Sequence, residues 1–452
     1  MSLNITDSIK RLGTKLGVDM SKAPASNIAD SIDYISDGVG AHTGVIADAI
    51  DKLEIKGGGE VSDKPVRFYA VDELAYSYTK DEFLALSAMP ANPAKEGLTP
   101  QGWNWSFESA KNYVQKYGEL DVGQVYITDD GKTRFYIETL DPGVDIMNPS
   151  EDPSEDPSKV VRLSFKLYPE ANVTIDWGDG TNEVVDYSID DAVQKIHLYN
   201  SHGQYVISLT VNNGGIAFAD PSGIIYPFNM LKKVNIGEKV FQFIFGSDFR
   251  SCLNLKSVTI PNNIDFSSTN NMFQGCNALK HVTFPSGLSV VGRYAFNCCY
   301  SLRSVSLPEG VYAIDVSAFR SCYNLQRITL PQSLNNITAF AFSACISLTH
   351  VVLPSEVERC IQGFVDCNNL ITVDIGENVT YLGDEFSGCD TLLAVHLHGA
   401  TPPVLSGNSF SGDSIQYIKF FVPYSEDHSI LNAYKEADNW SKYTNNILEE
   451  PQ

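Results

Sequence analysis

The chain has little of what most function classes require. Its 452 residues carry 32 basic against 55 acidic side chains, a formal net charge of −23. It therefore lacks the positive excess that nucleic acid and anionic membrane surfaces demand, and neither is expected as a partner. No run of 18 apolar residues occurs, so no membrane-spanning helix is expected. The first residues, Met-Ser-Leu-Asn-Ile-Thr-Asp-Ser-Ile-Lys, alternate polar and apolar without a continuous apolar stretch, so a secretory signal is not expected either. Gly-x-Ser-x-Gly, Gly-x-x-x-x-Gly-Lys-Ser/Thr and His-Glu-x-x-His are all missing, which argues against an enzyme and against a cofactor. Cysteine is scarce, nine in all, and none lies outside Cys252 to Cys389. No Cys-x-x-Cys pair is available for a metal. His396 and His398 would share a strand face but show no third ligand, so they read as solvated.

What the chain does have is a period. Seven copies of Phe-x-x-Cys pair Phe249, Phe273, Phe296, Phe319, Phe342, Phe364 and Phe386 with Cys252, Cys276, Cys299, Cys322, Cys345, Cys367 and Cys389. Successive cysteines are 24, 23, 23, 23, 22 and 22 residues apart. Most are followed by an apolar pattern such as Leu325, Ile328, Leu330 and Pro331. A fixed period in the low twenties with this core indicates a leucine-rich-repeat solenoid, whose coils bury their apolar sides only by stacking. Disulfides between identical positions on neighbouring coils would have to pair in a regular series. The cysteines are better read as buried free thiols acting as small hydrophobes, with Cys298 and Cys360 outside the ladder.

The expected architecture is multidomain and mainly β. Residues 1–60 read as a helical docking or oligomerisation segment, from a spacing of three and four among Ile28, Ile32, Ile35 and Val39. Residues 61–147 read as a small α+β domain, with a helix over Phe107 to Tyr117 and a hairpin turning at Asp129-Asp130-Gly131-Lys132. Trp103 and Trp105 are assigned to its core. A proline-punctuated linker covers 148–158, a β-sandwich 159–228, the solenoid 229–398, and a degenerate repeat with a C-terminal cap 399–452.

Two modules resemble known families. Asp176-Trp177-Gly178-Asp179-Gly180-Thr181, with His197-Leu-Tyr199 and Gly203-Gln-Tyr205 downstream, resembles the polycystic-kidney-disease (PKD) domain. There Asp179-Gly180 would supply a tight turn, and Asp176 with Asp179 is a weak calcium site at best. The Phe-x-x-Cys-x-x-Leu unit resembles the BspA-type leucine-rich repeat of bacterial surface and phage proteins. Gly102-Trp-Asn-Trp-Ser and Asp121-Val-Gly-Gln-Val-Tyr look like a linking domain of gut-phage proteins. Together these resemblances imply a bacteriophage virion protein of tail-fibre or receptor-binding type, with a bacterial cell-surface adhesin as the alternative. The implied partners are a host cell-surface glycan or protein, other virion proteins through the N-terminus, and copies of itself, guessed as a trimer.

The expected ligand-facing surface is the outward side of the repeat strands. Thr259, Thr283, Ser306 and Thr329 form a hydroxyl ladder there, beside His281, Arg327 and His350. Tyr300 and Tyr323 share one register on adjacent coils. Residues 229–350 carry 10 basic and 5 acidic side chains and form the only positive stretch, suited to a polar glycan or an anionic polymer.

Overall fold

The computed structural model describes residues 64–451, apart from 72, 141–155, 188–192, 219–224, 227, 244–248, 267–268, 407–408 and 412–416. The helical segment expected over 1–60 and most of the 148–158 linker lie outside the described residues.

Residues 64–128 build a small α+β unit from β1 (Val66–Ala70), β2 (Glu73–Tyr78), α1 (Lys80–Leu84), β3 (Leu98–Trp103), α2 (Phe107–Tyr117) and β4 (Leu120–Thr128). The sheet runs β2-β1-β4-β3, with β1 and β4 parallel. Thr79 and Glu82 close a capping box at the start of α1. α2 starts at Ser106, whose hydroxyl accepts from the Ser109 N–H, and ends at Gly118 with φ 81°, a left-handed stop. Ala110, Tyr113 and Val114 of α2 pack with Phe68, Phe83 and Trp105 in one core.

The hairpin expected at Asp129–Lys132 does not form. β4 pairs with β1 and β3, whereas β5 (Thr133–Glu138) pairs with β10 (Gln204–Asn213) and with the first solenoid strand, Leu231–Asn235. Phe135 and Ile137 explain the choice. Both are buried in the large core shared by the sandwich and the solenoid, away from the core of the small unit. The Asp-Gly turn thus passes the chain from one sheet to another.

The sandwich comprises β6 (Val160–Leu167), β7 (Asn172–Asp176), β8 (Asn182–Asp186), β9 (Val193–Leu198) and β10, plus short strands at Ile216–Phe218 and Ile225–Tyr226. Its signature turn is built for packing. Gly178 has φ 82°, and a Cβ there would come within 2.7 Å of the Val206 carbonyl oxygen. Trp177 lies flat on His197 with ring centroids 4.7 Å apart, and its carbonyl accepts from the Tyr199 hydroxyl at 2.9 Å. Asp176 accepts from the Gly178 N–H, while Asp179 accepts from Thr181 and meets His197 Nε2 at 2.8 Å. Both carboxylates are thereby engaged inside the turn.

One nine-stranded sheet continues from this sandwich into the solenoid, β8-β7-β10-β5 followed by Leu231–Asn235, Ser257–Thr259, His281–Thr283, Ser304–Ser306 and Arg327–Thr329. From His350–Leu353 onward a second parallel sheet takes over, ending at Ile447–Glu449. Inside the coils the phenylalanines form one stack. Phe296–Phe319, Phe319–Phe342 and Phe342–Phe364 stack nearly parallel with centroids 4.9, 5.2 and 5.0 Å apart. Every ladder cysteine is buried and unoxidised. Six of them also do something a simple hydrophobe would not. The thiols of Cys276, Cys299, Cys322, Cys345, Cys367 and Cys389 each donate to the carbonyl of the phenylalanine one coil earlier, at 2.9–3.2 Å.

The C-terminal segment supplies more than a degenerate repeat. Phe410 extends the ring stack, 5.5 Å from Phe386, without a cysteine partner. Lys419–Val422 and Ile447–Glu449 prolong the strand ladder. α3 (Ser429–Glu436) and Trp440 then cover the last coil, with Trp440 Nε1 donating to the Pro403 carbonyl at 2.7 Å and Tyr434 donating to that of Gly399 at 2.9 Å. Among the described residues no helix is long and apolar enough to cross a membrane.

Candidate binding surface

The strand face expected to meet a ligand is occupied by the small α+β unit. β4 lies across four successive repeat strands. The Ser306 hydroxyl donates to the Asp121 carbonyl, and the Asp121 N–H donates to the Thr329 hydroxyl at 3.3 Å. Thr283 presses against Gly123 so closely that a Cβ there would stand 2.6 Å from the threonine side chain. Tyr69 stacks on His281 at 5.7 Å, while Trp105 Nε1 and Asn104 Nδ2 donate to the carbonyls of Leu307 and Ser306. Thr259 lines a water-sized gap closed from above by Gln124 and Tyr126. The correction is clear: Thr259, Ser306 and Thr329 are 6–8% exposed, and the hydroxyl ladder is an internal joint.

Charge reinforces that joint. Arg67 and Asp121 sit opposite each other in β1 and β4 with Nε and Oδ1 2.7 Å apart, and Arg327 reaches the other Asp121 oxygen at 3.5 Å. Burial works to lower the Arg67 pKa, but Asp121, together with Tyr69 and Glu119, outweighs it and holds the guanidinium above its ordinary value. Arg327, expected as a ligand contact, is thus turned inward to this carboxylate. Asp121 was not distinguishable in the sequence from the other acidic residues of an acidic chain. Its alignment with Arg67 is a property of β1–β4 pairing.

His350 also has protein partners. Its Nδ1 meets the Thr372 hydroxyl at 2.7 Å, and its Nε2 lies 3.7 Å from Asp374 and 4.0 Å from Glu119 of the small unit. His398 contacts Asp374 at 2.9 Å and His396 contacts Glu450 at 2.7 Å. The reading of His396 as solvated is corrected, since it is 9% exposed and stacked on Phe421. Burial tends to raise the Asp374 pKa, yet the bond from His398 and the nearby histidines win and hold it below the usual carboxylate range. Among the described residues no group of three or more histidines, cysteines and carboxylates is arranged to hold a metal ion.

What remains open is the edge just before the strands. Tyr300 and Tyr323 stack there at 5.0 Å with rings 7° from parallel, and stay 37% and 40% exposed. Leu253 and Ile346 hold the equivalent place on other coils and are exposed as well. Lys256, Lys280 and Arg303 stand three residues further along their coils, all exposed.

Residues 242–362 and 324–426 match the family model of the BspA type leucine rich repeat region, in six copies. Among solved structures the chain is similar to the T. pallidum leucine-rich-repeat protein TpLRR, 32% identical over 36% of this chain and 74% of that one, with a TM-score of 0.31. It is also similar to a leucine-rich cell surface protein of Faecalibacterium prausnitzii, 22% identical over 37% of this chain and 60% of that one, TM-score 0.26. The pneumococcal vaccine antigen PcpA is 19% identical over 47% of this chain and 66% of that one, TM-score 0.29. No curated protein matches the chain.

Proposed function

Because residues 242–426 belong to the BspA-type leucine-rich repeats, we propose that the chain is a non-enzymatic attachment protein holding a cell surface through the uncovered side of its solenoid. The observation that carries this is the contrast between its two sides. Over four of the repeat strands the strand face is covered by β4, through Ser306, Thr329 and Arg327. The adjoining edge presents in-register tyrosines and cations. A stacked solenoid of this kind offers a long rigid surface on which equivalent side chains repeat once per coil. The setting follows the resemblance of its modules: a bacteriophage virion, as a tail fibre or receptor-binding component, with a bacterial cell-surface adhesin as the second reading. The fluorescently labelled full chain should be retained by some members of a bacterial panel, saturably and in competition with unlabelled chain. Retention by none, or retention that never saturates, would sink the attachment reading. Immunogold labelling of virions and of cells then assigns the setting.

A further inference from the structure

We infer that the edge carrying Tyr300, Tyr323, Lys256, Lys280 and Arg303 binds an acidic polysaccharide laid along the solenoid axis. This deepens the attachment reading and rests on it. The three cations hold the same place on successive coils, as the Arg303 N–H donating to the Lys280 carbonyl at 3.0 Å shows. The column begins at Lys232, which Glu138 neutralises at 3.1 Å. Beyond it the compensation stops. Lys256 feels Glu138 only at longer range, and Lys280 and Arg303 form no ion pair among the described residues. In a chain of net charge −23 this is a local positive strip, and it attracts anions while the rest of the molecule repels them.

The tyrosines decide which anion. Their rings lie face to face at 5.0 Å, so the two inner faces are closed to a ligand while both residues stay partly exposed. An aromatic edge carries partial positive charge and suits carboxylates and hydroxyls. Single-stranded nucleic acid takes successive bases on open ring faces, and the space between these two rings is closed to a base. The 5.0 Å between the two tyrosine rings on adjacent coils is close to the length of one sugar unit in an extended chain, which places one acidic sugar per coil. Arg303 can then grip a carboxylate with two parallel hydrogen bonds, and Lys280 can serve as a point charge.

The test uses the full chain with four probes: polygalacturonate, neutral dextran, a single-stranded oligonucleotide and anionic phosphatidylglycerol vesicles. Polygalacturonate should retard the chain in affinity electrophoresis and dextran should not. K280E/R303E should weaken that binding at least tenfold, and Y300A/Y323A at least threefold, with thermal melts of the charge-reversed variant unchanged because both side chains are exposed. Unaltered binding by K280E/R303E, or equal binding of the oligonucleotide or the vesicles, overturns the inference. If K280E/R303E is still retained by bacteria like the parent chain, this site fails while attachment stands. If the parent binds polygalacturonate but no bacterium, the attachment reading fails instead.

Discussion

Each phenylalanine carbonyl from Phe249 to Phe364 accepts twice, from the N–H of its own cysteine and from the thiol one coil later, as at Phe296 with Cys299 and Cys322. The two side chains therefore differ in weight. Phe319→Ala empties a slot between Phe296 and Phe342 and should cost about 3–5 kcal/mol. Cys322→Ala removes a weak donor and little volume, and should cost only about 1 kcal/mol, since the Phe296 carbonyl keeps its other partner. Urea titrations of both variants check the ratio; equal costs would refute the stacked-ring core. Glu385 breaks the local rule. It takes a place filled by Ala318 and Ala341 on earlier coils, is fully buried, and among the described residues no side chain pairs with its carboxylate. Burial pushes its pKa up to about 8 from 4.5. A raised folded value means stability declines as pH climbs from the unfolded value toward the folded one. Glu385→Gln should therefore raise the urea midpoint at pH 7.5 by more than at pH 5, and a pH-independent gain would contradict the shift. The thiol and ring ladder was legible because its period repeats seven times in the sequence. The donor role of the thiols was not, because a buried cysteine and a small hydrophobe leave the same pattern.

Strand identity was written locally and strand partnership was not. The helix Phe107–Tyr117 coincides with its expected bounds, and β6 to β10 fall inside the stretch expected to be strands. The Asp129–Lys132 turn misled because Asp-Gly reports only that the chain reverses, whereas β5 finds β10, and thus Gln204 opposite Glu138, far along the chain. The strand face misled for a related reason. Serine and threonine on a strand look alike whether they face water or another unit, and the contacts at stake join residues about 200 apart, such as Asn104 and Ser306. The joint itself is testable at one contact. Gly123→Ala drives a methyl group into Thr283 and should destabilise the chain by about 1–3 kcal/mol through overpacking. Adding Thr283→Ala should recover part of that loss. A tolerated Gly123→Ala would show that β4 does not sit on the repeat strands.

Across the whole molecule, the sandwich and the aromatic cap of Trp440 and Tyr434 close the two ends of one apolar core. Burial raises the thiol pKa values of Cys252, Cys299, Cys322 and Cys345 well above the ordinary range, so they are poor nucleophiles as well as inaccessible. Of nine free cysteines only Cys298 is partly exposed. A chromogenic disulfide reagent should thus titrate one thiol quickly in the native chain and all nine in denaturant. Several fast thiols under native conditions would mean that the coils are open.

The sheet shared by sandwich and solenoid has a mechanical meaning. β5 is clamped between β10 on one side and Leu231–Asn235 on the other, antiparallel to both. A pull along β5 loads those two ladders lengthwise, so their hydrogen bonds resist together instead of parting one at a time. A chain joined in this way resists being drawn apart at the junction of sandwich and solenoid.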